Sequence, residues 1–570
     1  MQDRFHIAAA LREIGRLLEL KGENPFKARA YDRGARVLEQ LQGDLDTLIK
    51  HRQLTAIGGI GSALATVIEE IHRTGRCALL EQMREELPEG AVELSAVPGL
   101  SLKKIIALHD ALKIGSIADL KSACEQGRIG KIKGFGQKSE AKILAAIERL
   151  EKHEAAMLLD RALEEAERLL QHVRGIPEVV AADIAGAIRR RKESTRGIKI
   201  VAASVDSMAV VDHFLRYPSF THSVQRSDDR CAAQLAGDVR AELIVVAPAD
   251  YVAALHFRTG SKQHCEKLEA LAHANGLSLQ PDPARRSSYP ALQANSEEQI
   301  YRRLKLQYVP PELREDSGEL EAALAGTLPM PVTLDDVRGI THCHTTYSDG
   351  QNSIEEMALA AQAMGMKYLT ITDHSPSAFY ARGVKLDRLM AQWEEIDWLQ
   401  DRVEIKLLRG TESDILNSGS LDYPDRILEQ FDIIIASIHA RAKMDADQMT
   451  RRIIQAMRSP FFKVWGHPLG RLIHSRPPLD CRMEEVLDAI AESRTAIEVN
   501  GDPRRLDLEP RWIRAARERG IKFVISADAH SVKSLRNLQH GVSMARRGWL
   551  TRDEVLNTLD ADQFRKAVRP

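Results

Sequence analysis

Apolar residues recur at helical spacing through the first 150 positions, as in Ile7-Ala8-Ala9-Ala10-Leu11 and Ile14-Gly15-Arg16-Leu17-Leu18, so this segment reads as short amphipathic helices. Glycine turns break them, and three share one theme: Ile57-Gly58-Gly59-Ile60-Gly61, Val97-Pro98-Gly99-Leu100-Ser101 and Ile132-Lys133-Gly134-Phe135-Gly136. After position 150 the pattern changes. A helical run over 155–174 precedes β-like stretches at 181–186, 198–202 and 241–246, and residues 251–315 are mixed. Residues 310–337 combine prolines, acidic and small residues and read as a linker. From Arg338 on, apolar runs of strand length alternate with helical patterns. The strands are predicted at 339–344, 368–372, 404–408, 432–438, 462–466, 496–500 and 523–527. Seven such β-α units predict a parallel α/β barrel or a doubly wound sheet.

Composition narrows the possibilities. A chain of 570 residues suggests three or four domains. Lys and Arg number 80 against 81 Asp and Glu, a formal charge of -1, which excludes a protein that coats polyanions in bulk and leaves nucleic-acid contact to local basic patches. With 44% hydrophobic and 28% charged residues, global disorder is excluded as well. There is no run of about 20 apolar residues and no signal-like apolar core at Met1-Gln2-Asp3-Arg4-Phe5-His6, so no membrane partner is expected. Cys77, Cys124, Cys231, Cys265, Cys343 and Cys481 lie scattered without a CxxC pair, which fits reduced thiols and a cytoplasmic location.

The three glycine turns have a chemical use. A tight hairpin between helices exposes backbone N–H groups and a helix amino terminus, both suited to phosphate oxygens, and such contacts read no base sequence. One turn usually only connects helices. Three at intervals, with Lys103-Lys104 and Lys138 behind the last two, favour helix-hairpin-helix DNA binding. The candidate contacts are Gly58, Gly59, Gly61, Gly99, Gly134, Gly136 and Lys138. Ser101 stands where the middle copy should carry its second glycine, which points to a distorted hairpin there.

The strongest chemistry lies after residue 340. His342 and His344 close the first predicted strand and Asp349 follows in the loop; His374 closes the second, Glu412 the third, His439 the fourth, His467 the fifth, and Asp528 and His530 the seventh. In a parallel barrel all strand carboxyl ends meet at one rim, so these nine groups converge. Imidazole with carboxylate suits Zn²⁺, Mn²⁺ or Fe²⁺. Clustered divalent ions bind phosphate oxygens and lower the pKa of water, so phosphoester hydrolysis is the expected reaction and water held by these ligands' ions the reacting group. One strand-end histidine is more often a satisfied polar residue than a ligand, but that reading would have to hold independently at several strands. Cys343 points to the opposite strand face and reads as core. His474 and His540 follow no strand end and read as solvated.

The stretches His342-Cys343-His344-Thr345-Thr346-Tyr347-Ser348-Asp349-Gly350, Thr372-Asp373-His374, Gly466-His467-Pro468 and Ser526-Ala527-Asp528-Ala529-His530 resemble the motifs of the PHP (polymerase and histidinol phosphatase) family. The resemblance covers 338–570. It implies a distorted seven-stranded α/β barrel holding three metal ions on the nine residues, with phosphoesterase or nuclease activity.

Residues 1–315, with that segment behind them, resemble the bacterial family X DNA polymerases, PolX. The resemblance rests on residues 22–31 (Gly22 to Tyr31), the hairpins, Gly186-Ala187-Ile188-Arg189-Arg190 and Thr259-Gly260-Ser261-Lys262. It implies a hairpin domain (1–85), fingers with further hairpins (86–150), a nucleotidyltransferase-like α+β palm (151–250), a thumb (251–315) and a linker (316–337) before the PHP barrel (338–570). It also implies binding to gapped, nicked or 3′-ended duplex, gap filling in base-excision repair, and 3′→5′ cleavage with blocked-end or abasic-site processing. The chain departs from the family where polymerisation needs it. The Asp-x-Asp pair expected eleven and thirteen residues after Gly186 falls on Gly197 and Lys199, and the third carboxylate corresponds to Glu242. Two-metal chemistry needs carboxylates holding ions about 3.5–4 Å apart, so Mg²⁺ binding and synthesis are expected to be lost. Ala187 replaces a serine and Phe257-Arg258 an aromatic pair. Gly186, Arg190, Glu242, Thr259, Gly260 and Ser261 remain as a vestigial nucleotide site. The basic run Arg189 to Lys192, with Arg196 and Lys199, reads as a solvated face or, preferentially, a phosphate-backbone grip. Val67 stands where some eukaryotic relatives carry a Schiff-base lysine, so no lyase is expected.

The sequence therefore predicts a monomeric DNA-repair nuclease on a polymerase frame. A gap-filling polymerase, a non-catalytic DNA-end scaffold and a small-molecule phosphatase are the rival readings.

Overall fold

A computed structural model describes residues 4–569 apart from 22, 24, 41–44, 58, 88–89, 96, 98–99, 133, 154–155, 236–238, 280–288, 291, 441–443 and 494. The chain folds as two units, 1–154 and 155–570.

In the first unit, helices Ser62–Thr74, Leu102–Leu112 and Gln137–His153 each follow one of the glycine turns. The turns share one backbone bond: Ile60 N–H to Ile57 O at 3.0 Å, Leu100 N–H to Val97 O at 3.2 Å, and Phe135 N–H to Ile132 O at 2.9 Å. Gly59 and Gly134 sit at φ 96° and 95°, left-handed backbone open to glycine at little cost. The predicted distortion of the middle copy is not found among its described residues. Ser101 N-caps its helix at φ -82°, ψ 159°, close to Gly61 at φ -80°, ψ 171°, because the cap position needs extended backbone that any residue adopts. Gly58 and Gly99 lie outside the described residues.

The second unit begins with a five-stranded sheet in the order Ala181–Ile184, Gly197–Ala203, Val239–Val246, Arg230–Leu235, Phe220–Arg226. Its second and third strands run parallel and the other pairs antiparallel. Helix Leu159–Arg174 turns Ala162, Ala166, Leu169 and Val173 onto the sheet's core. Helices Tyr251–Thr259, Lys262–Ala274 and Glu297–Arg303 follow. The segment read as a linker is instead packed against them. Helix Glu319–Ala325 adds Leu320 and Ala323 to a core with Leu268, Ile300 and Tyr301, and fully buried Glu319 lies 2.7 Å from His264 Nδ1.

The remainder is a closed barrel of seven parallel strands in chain order: Gly339–Cys343, Tyr368–Ile371, Lys406–Asp414, Ile433–Ser437, Val464–Trp465, Ala496–Asn500 and Phe523–Ala529. All seven predicted strands are present. Alternation divides each strand between an inner and an outer face. Ile433 and Ile435 join Tyr368, Leu408, Val464 and Val524 in one cluster, whereas Ile434 and Ala436 belong to the larger core that includes Ile453, Ile490 and Met544 of the surrounding helices. Helix Ala561–Val568 contributes Phe564 and Val568 to the first cluster, with Phe564 stacked on Tyr368 at 4.9 Å. The carboxyl ends carry the polar groups.

Candidate metal centre at the barrel rim

The seam between the last and first strands is irregular: Ser526 pairs with Thr341 and Ala529 with Cys343, and the register shifts between them. Here His342 takes φ 59° and Asp528 φ 48°, and His467 after the fifth strand takes φ 22°. Non-glycine residues at positive φ are costly and concentrate at functional sites. Three of the nine predicted ligands are so held. Asp349 reaches the rim on a turn closed by Ser348 and Gly350 N–H bonds to Thr345 O, and a Cβ on Gly350 would lie 2.4 Å from His344 O.

All nine residues come together in four overlapping groups. These are His344, Asp349, His374 and His530; His342, His344 and Glu412; His342, His467 and Asp528; and His374, Glu412 and His439. Glu412 is central. Its Oε2 lies 2.8 Å from His374 Nδ1 and 3.4 Å from His342 Nε2, and its Oε1 lies 2.8 Å from His467 Nε2 and 3.1 Å from His439 Nε2. Asp528 Oδ1 is 3.4 Å from His344 Nε2, and Asp349 Oδ1 is 3.6 Å from His374 Nε2 and 3.5 Å from His530 Nε2.

The donor set fits divalent cations. His342 Nε2, both ring nitrogens of His344 and of His467, His374 Nδ1, Asp349 Oδ1 and both Glu412 oxygens are buried yet make no hydrogen bond. Buried polar atoms are normally paired, so this many orphans facing one space mark a site for ions. Burial, His530 and His374 push His344 down to about 4, leaving a neutral imidazole able to ligate. Burial opposes ionisation of Glu412, but His439, His374 and His342 outweigh it and hold the carboxyl well below its usual range.

Some supporting residues were not evident in the sequence. Glu498 accepts from His342 Nδ1 at 2.5 Å and from the His467 backbone N–H, fixing both neighbours. Asp414 lies 3.0 Å from His439 Nδ1, and Arg505 Nε lies 3.2 Å from Asp528 Oδ2. Such partners orient ligand rings and leave the opposite nitrogen for the metal. The available signal was a carboxylate at the centre of the apolar sixth strand, Ala496-Ile497-Glu498-Val499-Asn500. Cys343 is buried in the outer core as read. His474 is exposed, but His540, read as solvated, is buried on helix Leu538–Arg547.

The sheet of the second unit carries no comparable group: among the described residues, every His/Cys/Asp/Glu cluster able to hold an ion lies in the barrel. Lys199 and Glu242 are register partners with Nζ and Oε2 4.0 Å apart, and Arg230 Nε is 3.9 Å from Oε1. A Cβ on Gly186 would meet Lys199 Cδ at 3.3 Å. Arg190 donates to Thr259 O at 2.6 Å and to Glu315 at 3.0 Å, and Ser261 caps helix Lys262–Ala274. A Cβ on Gly260 would crowd Cys265 Sγ at 2.7 Å. Four residues of the basic run face carboxylates of this chain. Arg189 forms a two-armed pair with Glu297, Arg190 and Lys192 face Glu315, and Lys199 faces Glu242. In the first unit, Gly61, Gly134 and Gly136 have open space where a Cβ would project, and Lys138 is exposed.

Comparison with known proteins assigns four stretches. Residues 3–77 match a helix-hairpin-helix domain and 91–149 a SAM-like helix-hairpin-helix tandem. Residues 254–315 match the DNA polymerase beta thumb, and 341–502 the PHP domain. The chain is 32% identical over 560 residues to a DNA polymerase/3′-5′ exonuclease PolX of Bacillus subtilis (strain 168), covering 97% of this chain and 96% of that protein. The chain is also 31% identical over 232 residues to a probable phosphatase of Thermoanaerobacter sp. (strain X514), covering 38% of this chain and 89% of the relative. A probable phosphatase of Aliivibrio fischeri is 26% identical over 239 residues.

Proposed function

The chain belongs to the bacterial PolX family, and from that premise we propose how its parts divide the family's two activities. It is a DNA-binding repair enzyme whose PHP barrel is a metal-dependent phosphoesterase acting as a 3′-5′ exonuclease. The finer reading is that His342, His344, Asp349, His374, Glu412, His439, His467, Asp528 and His530 hold three ions, Zn²⁺, Mn²⁺ or Fe²⁺, and that synthesis has been lost. The convergence of nine side chains, six of them with buried ligand atoms that make no hydrogen bond, supports the first part.

When bound, divalent ions polarise a phosphodiester and make water a nucleophile near neutral pH. The chain's own residues prepare that site. Glu498 and Asp414 accept hydrogen bonds from the Nδ1–H groups of His342 and His439, so that each ring presents Nε2 to the rim. Arg505 holds one Asp528 oxygen and leaves the other facing His344. The glycine turns of the first unit offer backbone N–H groups to phosphates, with Gly59, Gly61, Gly134, Gly136 and Lys138 as contacts, and Gly58 and Gly99 by their place in the same repeat. The division into hairpin domain (1–85), fingers (86–150), palm (151–250), thumb (251–315) and barrel (338–570) accompanies this reading. So do preference for gapped, nicked or 3′-ended duplex and a monomeric state.

Loss of synthesis is supported by the Lys199–Glu242 contact and by Gly197, where a Cβ would lie 2.7 Å from Arg240 O. One gel tests both halves: a gapped, 5′-labelled primer incubated with Mn²⁺, with and without dNTPs. Shortening that chelator abolishes, without lengthening, is expected. Template-dependent lengthening would overturn the loss of synthesis, and no shortening with metal-loaded protein would overturn the assignment of the ligands.

A further inference from the structure

Two aromatic rings stand uncovered beside the metal centre. Phe379 is 85% exposed and Tyr380 64% exposed, on a single 3₁₀ turn Phe379–Ala381. The Tyr380 ring centroid lies 6.1 Å from that of His439 and 6.3 Å from that of His374, and the Phe379 ring packs edge-on against it at 6.3 Å. No step of the hydrolysis uses either ring.

The turn is clamped. Ala378 and Ala381 on either side of the rings are buried, Ala381 N–H bonds to Ala378 O at 2.9 Å, and Val384 N–H bonds to His374 O at 2.8 Å. Tyr423 donates its hydroxyl to Val384 O, and Ser377 N–H bonds to Asp422 at 2.7 Å. A Cβ on Gly383 would lie 2.1 Å from Ser375 O, so the chain is pressed onto the strand end that carries His374. Two large rings are thereby held in water at a fixed place relative to two ligand histidines. Rigid exposed aromatic faces next to a phosphodiester site suit one kind of occupant, a nucleobase, because every base has a π-face whatever its sequence. Exposed Arg382 follows them, a charge suited to the same strand's phosphates.

We propose that Phe379 and Tyr380 form a stacking platform for the terminal nucleobase of the strand whose phosphodiester is cut at the adjacent metal centre. This rests on the nuclease reading above. The platform makes the enzyme sense whether a 3′-terminal residue carries a base while remaining indifferent to which base it is.

The test uses full-length, metal-loaded protein and an oligonucleotide with 2-aminopurine as its 3′-terminal base, protected by a phosphorothioate at the last linkage. Stacking quenches this base. Wild type is expected to quench it on binding, Phe379→Ala/Tyr380→Ala to lose most of the quench, and Tyr380→Trp to keep it. In parallel, KM is compared for cleavable strands ending in a normal nucleotide or a base-less tetrahydrofuran residue. The base-less end should have a KM roughly tenfold higher for wild type, and the ratio should fall towards one in the double variant. Equal quenching by wild type and double variant, or an unchanged KM ratio, overturns the platform. If wild type cleaves no strand, the nuclease reading fails, while loss of quench in the double variant still upholds the platform as a base-binding surface.

Discussion

Lys199 places its Nζ 4.0 Å from Glu242 Oε2 across two parallel strands, where the two residues are register partners. On the proposed reading, that cation stands where synthesis would need an anionic position. Restoring the carboxylates is expected to fail for a second reason, since a side chain at 197 would press its Cβ to 2.7 Å from Arg240 O. The double substitution Gly197→Asp/Lys199→Asp should extend no primer and should lose about 1–3 kcal/mol of stability through overpacking. Primer-extension gels and urea unfolding check both statements, and template-dependent addition by the double variant would show that the strand can yield.

Glu498 accepts from the His342 ring, from the His467 backbone and from Asn500, whose amide also donates to Asp528, so its effect should be on metal affinity. Glu498→Gln is expected to weaken metal binding by roughly 10- to 100-fold. Titrating exonuclease rate against Mn²⁺ should show the midpoint moved to higher concentration with the rate partly recovered at saturation. An unmoved midpoint would mean that the His342 ring is oriented without it.

The nine rim residues were legible because parallel strands in chain order bring every carboxyl end to one side, so a residue's place after an apolar run says where it stands. The partners of those residues were not. Nothing along the chain says that Glu498, on the sixth strand, reaches His342 on the first, or that Arg505 reaches Asp528. The hairpin Phe220–Arg226 with Arg230–Leu235 is not legible in the sequence because the first of these strands lies at the sheet edge and carries Thr221, His222, Ser223 and Gln225 among few apolar residues. The same holds for the packed segment around Glu319. Its prolines and acidic residues look like a linker until His264, 55 positions earlier, is seen to pair with it.

Arg471 joins the sheet unit's loop to the rim. It reaches Glu193 at 3.0 Å and Glu509 at 3.0 Å, and donates to the backbone oxygens of Arg505, at 2.8 Å, and Leu506. The same Arg505 holds Asp528. Removing a buried guanidinium leaves two carboxylates and two carbonyls without their donor, so Arg471→Ala should lower stability by about 3–5 kcal/mol. Because the segment bearing Arg505 loosens with it, the Mn²⁺ midpoint should also rise. Equilibrium unfolding and the Mn²⁺ titration measure the two effects, and a stability loss with no shift in the midpoint would confine Arg471 to holding the domains together.

Glu297 supplies a pH-dependent contact in the helical region between sheet and barrel. Burial alone would raise its pKa, but Arg314 and Arg189, each bonded to both carboxylate oxygens, bring it from 4.5 down to about 2. For a carboxyl depressed on folding, the stabilisation is complete above the unfolded value, near 4.5, and is lost as pH falls towards 2. The shift corresponds to about 3 kcal/mol. Glu297→Gln cannot ionise and leaves two guanidiniums facing a neutral group, so the gap in unfolding free energy between wild type and variant should be widest at pH 6 and shrink progressively below pH 4.5. Urea titrations from pH 6 to 3 read this difference directly, cancelling the protonation of carboxylates common to both proteins. A gap that stayed constant over that range would place the stabilisation in packing, with the charge of Glu297 contributing nothing.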